Sequence, residues 1–173
     1  VAENLTFPNL AGPLEVAPGE VDLQVSATGT PASAAVLNLN DVLLEANRTY
    51  TAYAFGNVAN IAGNVVEDSA LGLASNLVRL RVIHAADGVG AVDVLSVTGA
   101  TSTPVVSDLI FGAVSATVDV AAAAFVAGLD VDDDGNADLL FDVPSLPGGT
   151  TVNVFAVRDA AGAVFLLAEL ADN

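Results

Sequence analysis

Two stretches of this chain carry the same apolar pattern 104 residues apart. Leu5-x-Phe7-x-x-Leu10-x-x-x-Leu14-Glu15-Val16-Ala17 matches Leu109-x-Phe111-x-x-Val114-x-x-x-Val118-Asp119-Val120-Ala121. Farther along, Leu39-Asn40-Asp41-Val42 matches Leu140-Phe141-Asp142-Val143, and residues 49–53 match 150–154, at a spacing of 101. Self-similarity of this kind means that one structural unit is built twice. The copies are unequal, however. Residue 1 corresponds to residue 105, so nothing in the first half matches residues 78–104. The first unit is therefore expected to lack its opening strands, which leaves an open sheet edge and an uncovered core face.

Alternation with period two sets the secondary structure. Val21-Asp22-Leu23-Gln24-Val25-Ser26, Arg79-Leu80-Arg81-Val82-Ile83-His84 and Thr151-Val152-Asn153-Val154-Phe155 each place apolar and polar residues on opposite faces. The runs are short and end in turn residues such as Pro18-Gly19, Asp87-Gly88 and Pro147-Gly148-Gly149. Such spacing predicts an all-β protein. Specifically, it predicts two tandem Ig-like antiparallel β-sandwich units: a partial one over residues 1–56, a linker over 57–77 and a complete one over 78–173. The alanine run 121–124 is the best helix candidate. Its counterpart, Ala17-Pro18-Gly19-Glu20, reads as a turn, so a turn is expected there too.

Composition removes several functions. The chain has 21 acidic residues against four arginines and no lysine, for a net charge of −17. Phosphate would repel it, which excludes a basic nucleic-acid footprint and attachment to an anionic membrane surface. The absence of lysine also excludes Lys–Asn isopeptide cross-links. There is no cysteine, hence no disulfide, thiolate chemistry or cysteine zinc site. No apolar run is long enough for a spanning helix. The chain starts at Val1 without a basic and apolar leader, so any signal peptide is expected to be already gone. Only 14% of residues are charged and mean hydropathy is +0.63, so much apolar surface is expected to lie in an assembly or under glycan.

The segment Val78-Arg79-Leu80-Arg81-Val82-Ile83-His84-Ala85-Ala86-Asp87, followed by Ala91-Val92-Asp93-Val94, resembles the V-R-V-x-H-A-x-P-D…A-V-D-V opening of the 4397 family of domains of unknown function. Leu44-Glu45-Ala46-x-x-Thr49-Tyr50-Thr51-x-Tyr53-Ala54-x-Gly56 is similar to that family's closing strand. Alanine replaces the proline before Asp87, and Tyr50 becomes Thr151 in the second copy. The resemblance implies secreted, often tandem, bacterial β-sandwich repeats, and it implies no activity. His84 and Asp93 fall in the opening motif. Without a second histidine or a nucleophile, His84 is expected to be a satisfied, partly buried side chain.

The strongest chemical signal is Asp130-Val131-Asp132-Asp133-Asp134-Gly135-Asn136-Ala137-Asp138. Calcium takes six to eight oxygen ligands, and D-x-D-x-D-G-x-x-D wraps alternate carboxylates around one point. Asp130, Asp132 and Asp134 take the first, third and fifth positions. Gly135 makes the turn, Asn136 offers its carbonyl, and Asp138 binds directly or through water. Phe141 stands where the closing glutamate belongs, so Asp142 is the expected substitute, and Asp133 is expected to point away. The first copy has Ser26-Ala27-Thr28-Gly29-Thr30 at the equivalent hairpin, so a structural Ca²⁺ is expected in the second unit alone.

Asn4-Leu5-Thr6 and Asn47-Arg48-Thr49 match the acceptor pattern for covalent glycan. The combined expectation is a non-enzymatic extracellular structural protein. It is expected to be a subunit of a cell-surface filament, pilus-like fibre or matrix, a homo-polymer of copies of itself joined by strand complementation and stabilised by calcium. Residues 1–10 are the candidate inter-subunit element. The alternative is a calcium-dependent adhesion or carbohydrate-binding module of a larger surface protein. Trp is absent and only two tyrosines are present, which leaves little for an aromatic sugar platform.

Overall fold

The computed structural model describes residues 2–171 and is all-β, with twelve strands and two short 3-10 turns among them. Val1, Asp172 and Asn173 lie outside the described residues, so the candidate inter-subunit element is seen as residues 2–10. Among the described residues no helix is long and apolar enough to cross a membrane. The chain divides into two compact units, one ending at Ser69 and the other running over Ala70–Ala171.

The second unit is a β-sandwich. Its strands are β5 (Leu77–His84), β6 (Val92–Thr98), β7 (Thr101–Leu109), β8 (Val118–Ala121), β9 (Phe125–Asp130), β10 (Leu139–Val143), β11 (Thr151–Arg158) and β12 (Val164–Ala171). They form two four-stranded sheets, β10-β9-β6-β7 and β12-β11-β5-β8. All pairs are antiparallel except β5 with β11, which run parallel from Thr151 opposite Arg79 to Ala156 opposite His84. A parallel pair needs a long crossover, and here five strands lie between the two partners. The alanine run is non-helical, as its counterpart suggested: β8 ends at Ala121 and β9 begins at Phe125.

Alternation buries Val78, Leu80 and Val82 of β5 to 0%, 8% and 3% exposure, against Val152 of β11 and Val92, Val94, Leu109 and Leu129 of the facing sheet. Between the sheets lies an apolar cavity of about 760 Å³, lined by Leu80, Val94, Val120, Phe125, Val152 and Leu166 among others. On β5, Arg79 donates to both oxygens of Asp119 on β8, at 2.8 and 3.0 Å. That pairing holds the Asp119 carboxyl below the usual carboxylate range. Arg81 donates to Asn153, which donates to Glu169, a polar row across β5, β11 and β12.

The first unit has four strands: β1 (Gly19–Val25), β2 (Leu37–Leu44), β3 (Thr49–Phe55) and β4 (Ala62–Asp68). They form two separate hairpins, β1-β2 and β3-β4. Each hairpin has a counterpart in the second unit. Val21 pairs with Val42 as Phe125 pairs with Val143, and the β3-β4 hairpin corresponds to β11-β12. Strands corresponding to β5, β6 and β7 are absent from the described residues of this unit. The consequence for packing is direct. Every fully buried apolar side chain of the described residues lies between Val78 and Ala171. In the first unit only Thr51 and Asp68 are fully buried, and they hydrogen-bond each other at 2.7 Å.

The stretch 57–77, expected to be a linker, contains strand β4, and the division between the units falls after Ser69. The difference has a physical reason. Gly63 reads as a loop residue, yet it sits inside β4 because a Cβ there would stand 2.6 Å from Leu37 Cδ2 and 2.9 Å from the Tyr53 carbonyl oxygen. The missing side chain lets β2 pack onto β4.

Hydrogen exchange tests the contrast between the units. Amides of β1 to β4 should exchange about a hundredfold or more faster than the core amides of β5, β6, β9 and β11. Leu129→Ala, at a fully buried position, should destabilise the second unit by about 3 kcal/mol and leave exchange in β1 to β4 unchanged.

Candidate metal centre

The acidic loop joins β9 to β10. Asp130 ends β9 and is 1% exposed. The Asp138 N–H donates to the Leu129 carbonyl at 2.9 Å and closes the hairpin where β10 begins. Asp130 organises the loop: Oδ1 accepts from the N–H groups of Asp132 and Asp133 at 3.2 and 2.8 Å, and Oδ2 accepts from Gly135 at 2.8 Å. Asp138 Oδ2 accepts from the Val131 N–H at 2.8 Å. Gly135 has φ +82°, the left-handed conformation that the sixth loop position demands.

The loop lies close to its own strand because of Gly128. A Cβ on Gly128 would stand 2.6 Å from Ala137 Cβ. Ala137 thus packs over bare backbone, and this brings Asp138 back toward Asp130.

Carboxylate oxygens of Asp130, Asp132 and Asp138 lie within 4.8 Å of one another. Oxygens bound to one Ca²⁺ at 2.3–2.6 Å are separated by up to about 5 Å, so the spacing fits that ion. Burial pushes the Asp130 carboxyl up, but the N–H groups of Gly135, Asp133, Asp132 and Asp134 outweigh it and hold the group below the usual range. The Asp132 carboxyl is raised by the charges of Asp138 and Asp134, then by burial and Asp130. Repulsion of this kind is what a bound cation relieves.

Three of the six sequence-derived ligands are therefore brought together. Asp134 Oδ1 accepts from the Asn136 N–H at 2.8 Å, and the Asp134 carboxylate stands outside the close group; Asn136 was expected to offer its backbone carbonyl, which is not among the grouped carboxylates. Asp142 does not reach the loop. On β10 it pairs with Val126 of β9, about 13 Å along the strand from the Asp130 level. The strand entry is not bent, so the substitution expected of Asp142 has no geometric basis.

Asp133, with φ +61°, turns away as expected and meets Asp93 of β6 and Asp108 of β7 in a second group within 4.8 Å. Asp93 Oδ1 already accepts from the Asp108 N–H at 2.7 Å. Sequence spacing does not show this group, because strand pairing assembles it: Asp93 faces Asp130 across β6 and β9.

His84 is fully buried and held by backbone, with Nε2 2.8 Å from the Gly90 carbonyl and Nδ1 accepting from the Ala86 N–H. Its ring meets Phe111 edge-on at 5.9 Å. Both nitrogens are engaged, which is the structural role expected of it. The arginines likewise have intrachain partners: Arg48 pairs with Glu45 and Glu67, and Arg158 donates to the carbonyls of Gly162 and Asp87.

The family model described as "Domain of unknown function (DUF4397)" matches residues 1–95, more than half of the chain, and the chain belongs to that family. Both the opening and the closing motifs named above fall inside the match, which ends at Leu95 within β6. No curated protein matches the chain.

Calcium titration tests the acidic loop as a candidate centre and separates the roles of its members. Asp138→Asn should weaken calcium binding by about tenfold or more, and Asp142→Asn should leave it within about twofold of the parent. Gly128→Val should weaken it by displacing Ala137, although no ligand is altered. The pH dependence follows from the shifts. Stability from Asp130, whose pKa is lowered, is present above the ordinary carboxylate range and is lost as pH falls through its folded value. Asp132, whose pKa is raised, protonates first on acidification, which relieves repulsion in the metal-free chain but competes with calcium. The melting-temperature gain from calcium over EDTA should therefore shrink as pH falls from neutral toward the carboxylate range.

Proposed function

We propose that this member of the DUF4397 family is a non-enzymatic extracellular structural protein, a subunit of a cell-surface filament or matrix built with further copies of its own kind. Neighbours are joined by strand addition at the first unit. Calcium at the 130–138 loop stiffens the second unit.

One observation carries the reading. No apolar side chain among the described residues of the first unit is fully buried, and its two hairpins are the counterparts of hairpins that, in the second unit, are flanked by β5 and β6. A two-stranded hairpin has marginal stability in water, and three or more strands over an apolar face are needed. Leu5, Phe7, Leu10, Leu14 and Val16 are 51–60% exposed, and Leu43 is 60% exposed. Exposed large apolar side chains in this number support an interaction surface. Asn4 and Asn47 are exposed at turns with positive φ, where covalent glycan has room.

Electron microscopy and light scattering of the concentrated protein, with calcium and with EDTA, test the proposal. Elongated assemblies are expected, with a lower melting temperature in EDTA that calcium restores. A strictly monomeric globular particle at all concentrations contradicts assembly, and unchanged melting in both conditions contradicts the calcium role.

A further inference from the structure

A folded core leaves few voids larger than a water molecule. The second unit nevertheless holds about 760 Å³ between its two sheets. An apolar cavity of about 150 Å³ already stays dry and takes up benzene. Of the residues that line this larger one, only Ser96 and Asp142 are polar, and an ordered water needs about two to four polar partners. Water therefore fills it poorly. The space also has an entrance. β10 and β12 each end their sheet, with one hydrogen-bonded neighbour apiece. Leu140 on β10 and Leu170 on β12 line the cavity and are still 61% and 45% exposed. The cavity thus opens between these two edge strands.

The first unit carries side chains suited to it. Residues 5–17 repeat the apolar pattern of 109–121 at a spacing of 104. In the second unit that pattern faces inward: Leu109 is buried, and Val118 and Val120 line the cavity itself. In the first unit the pattern forms no strand, and Leu5, Phe7, Leu10, Leu14 and Val16 are exposed. Size agrees. At about 30 Å³ for each water-sized group, 760 Å³ takes about two dozen of them. Five side chains of three to seven carbons each come close to that number. Charge agrees as well. Residues 4–14 are uncharged in a chain of net charge −17, so they bring no carboxylate to the exposed Asp142 beside the entrance.

We infer that residues 5–17 of one copy lie along the opening between β10 and β12 of a second copy, with their five large apolar side chains filling the cavity of its second unit. Pro8 and Pro13 have no N–H to donate, so backbone pairing with either edge strand is interrupted and side-chain burial carries the contact. The two surfaces that meet are different, so the contact is head-to-tail and generates an open filament unless its rotation closes a ring. The inference rests on the proposed assembly of copies, and it names the surface that meets the first unit.

The chain has no cysteine, so introduced cysteines report proximity without background. Copies carrying Leu5→Cys, Leu10→Cys or Leu14→Cys, one at a time, are mixed with copies carrying Leu170→Cys and oxidised. Leu71→Cys, on an exposed residue elsewhere in the second unit, replaces Leu170→Cys as the control. At least one of the three should form a disulfide-linked pair about tenfold or more abundant than with the control. Adding Phe7→Asp and Val16→Asp to that copy should cut the yield about tenfold or more, because a carboxylate would then enter apolar space. Both positions are exposed, so the melting temperature of the second unit should not change. Equal yields with Leu170→Cys and Leu71→Cys for all three overturn the inference. So does a disulfide formed at high dilution within one chain carrying both cysteines, because the chain itself is then the occupant. A lipid or other hydrocarbon retained by the purified chain in native mass spectrometry, and displaced by no second copy, overturns it too. Filaments without the selective disulfide leave the assembly reading standing and remove this inference. The selective disulfide in pairs or closed rings that never grow into filaments keeps the inference and removes the filament reading.

Discussion

The structure depends on strand β5 having a partner on each side. Its inward Val78, Leu80 and Val82 form one wall of the core, and its two edges carry β11 and the stretch ending in β8. Remove such a strand, and the β11-type hairpin loses its neighbour, the β8-type stretch loses its anchor and the facing sheet loses the surface it packs on. The described residues of the first unit hold counterparts of the β9-β10 and β11-β12 hairpins and of the 109–121 pattern, with apolar residues such as Leu37, Leu39, Val42 and Phe55 half-buried and none fully buried. Hydrophobic burial is the main favourable term in folding, and the second unit holds all of the fully buried apolar side chains among the described residues.

The acidic loop shows how a carboxylate cluster is assembled without a matching set of cations. The chain has four arginines, each committed to a partner within its own structure. Backbone N–H groups do most of the work of holding Asp130, and Gly128 provides the space that draws Asp138 inward. What remains unbalanced is Asp132, raised by its acidic neighbours. A divalent cation would restore that balance. The calcium proposal therefore follows from local electrostatics, whereas the assembly proposal follows from strand pairing, and the two stand or fall separately.

Much of the fold was legible in the sequence. Period-two alternation located β1, β5 and β11, and the 104-residue spacing exposed the unequal repeat before any strand pairing was known. Strand β4 was hidden because Gly63 and Asn64 look like loop residues. Gly63 is there for close packing against Leu37, which a sequence pattern does not display. Asp142 was misplaced for a related reason: loop spacing counts residues, whereas β10 is straight and carries it away from the loop. The group of Asp93, Asp108 and Asp133 comes from three separate segments, and only the register of β6 with β9 and β7 brings it together. Asp130, Asp132 and Asp138 were legible because the whole arrangement lies within one turn.

The most direct measurement is a map of the native assembled material at a resolution that traces strands. The account predicts a strand of a neighbouring copy paired with an edge of the first unit and covering its exposed apolar residues. A first unit whose exposed apolar residues still face solvent in the mature assembly, or are covered by its own chain, would contradict it.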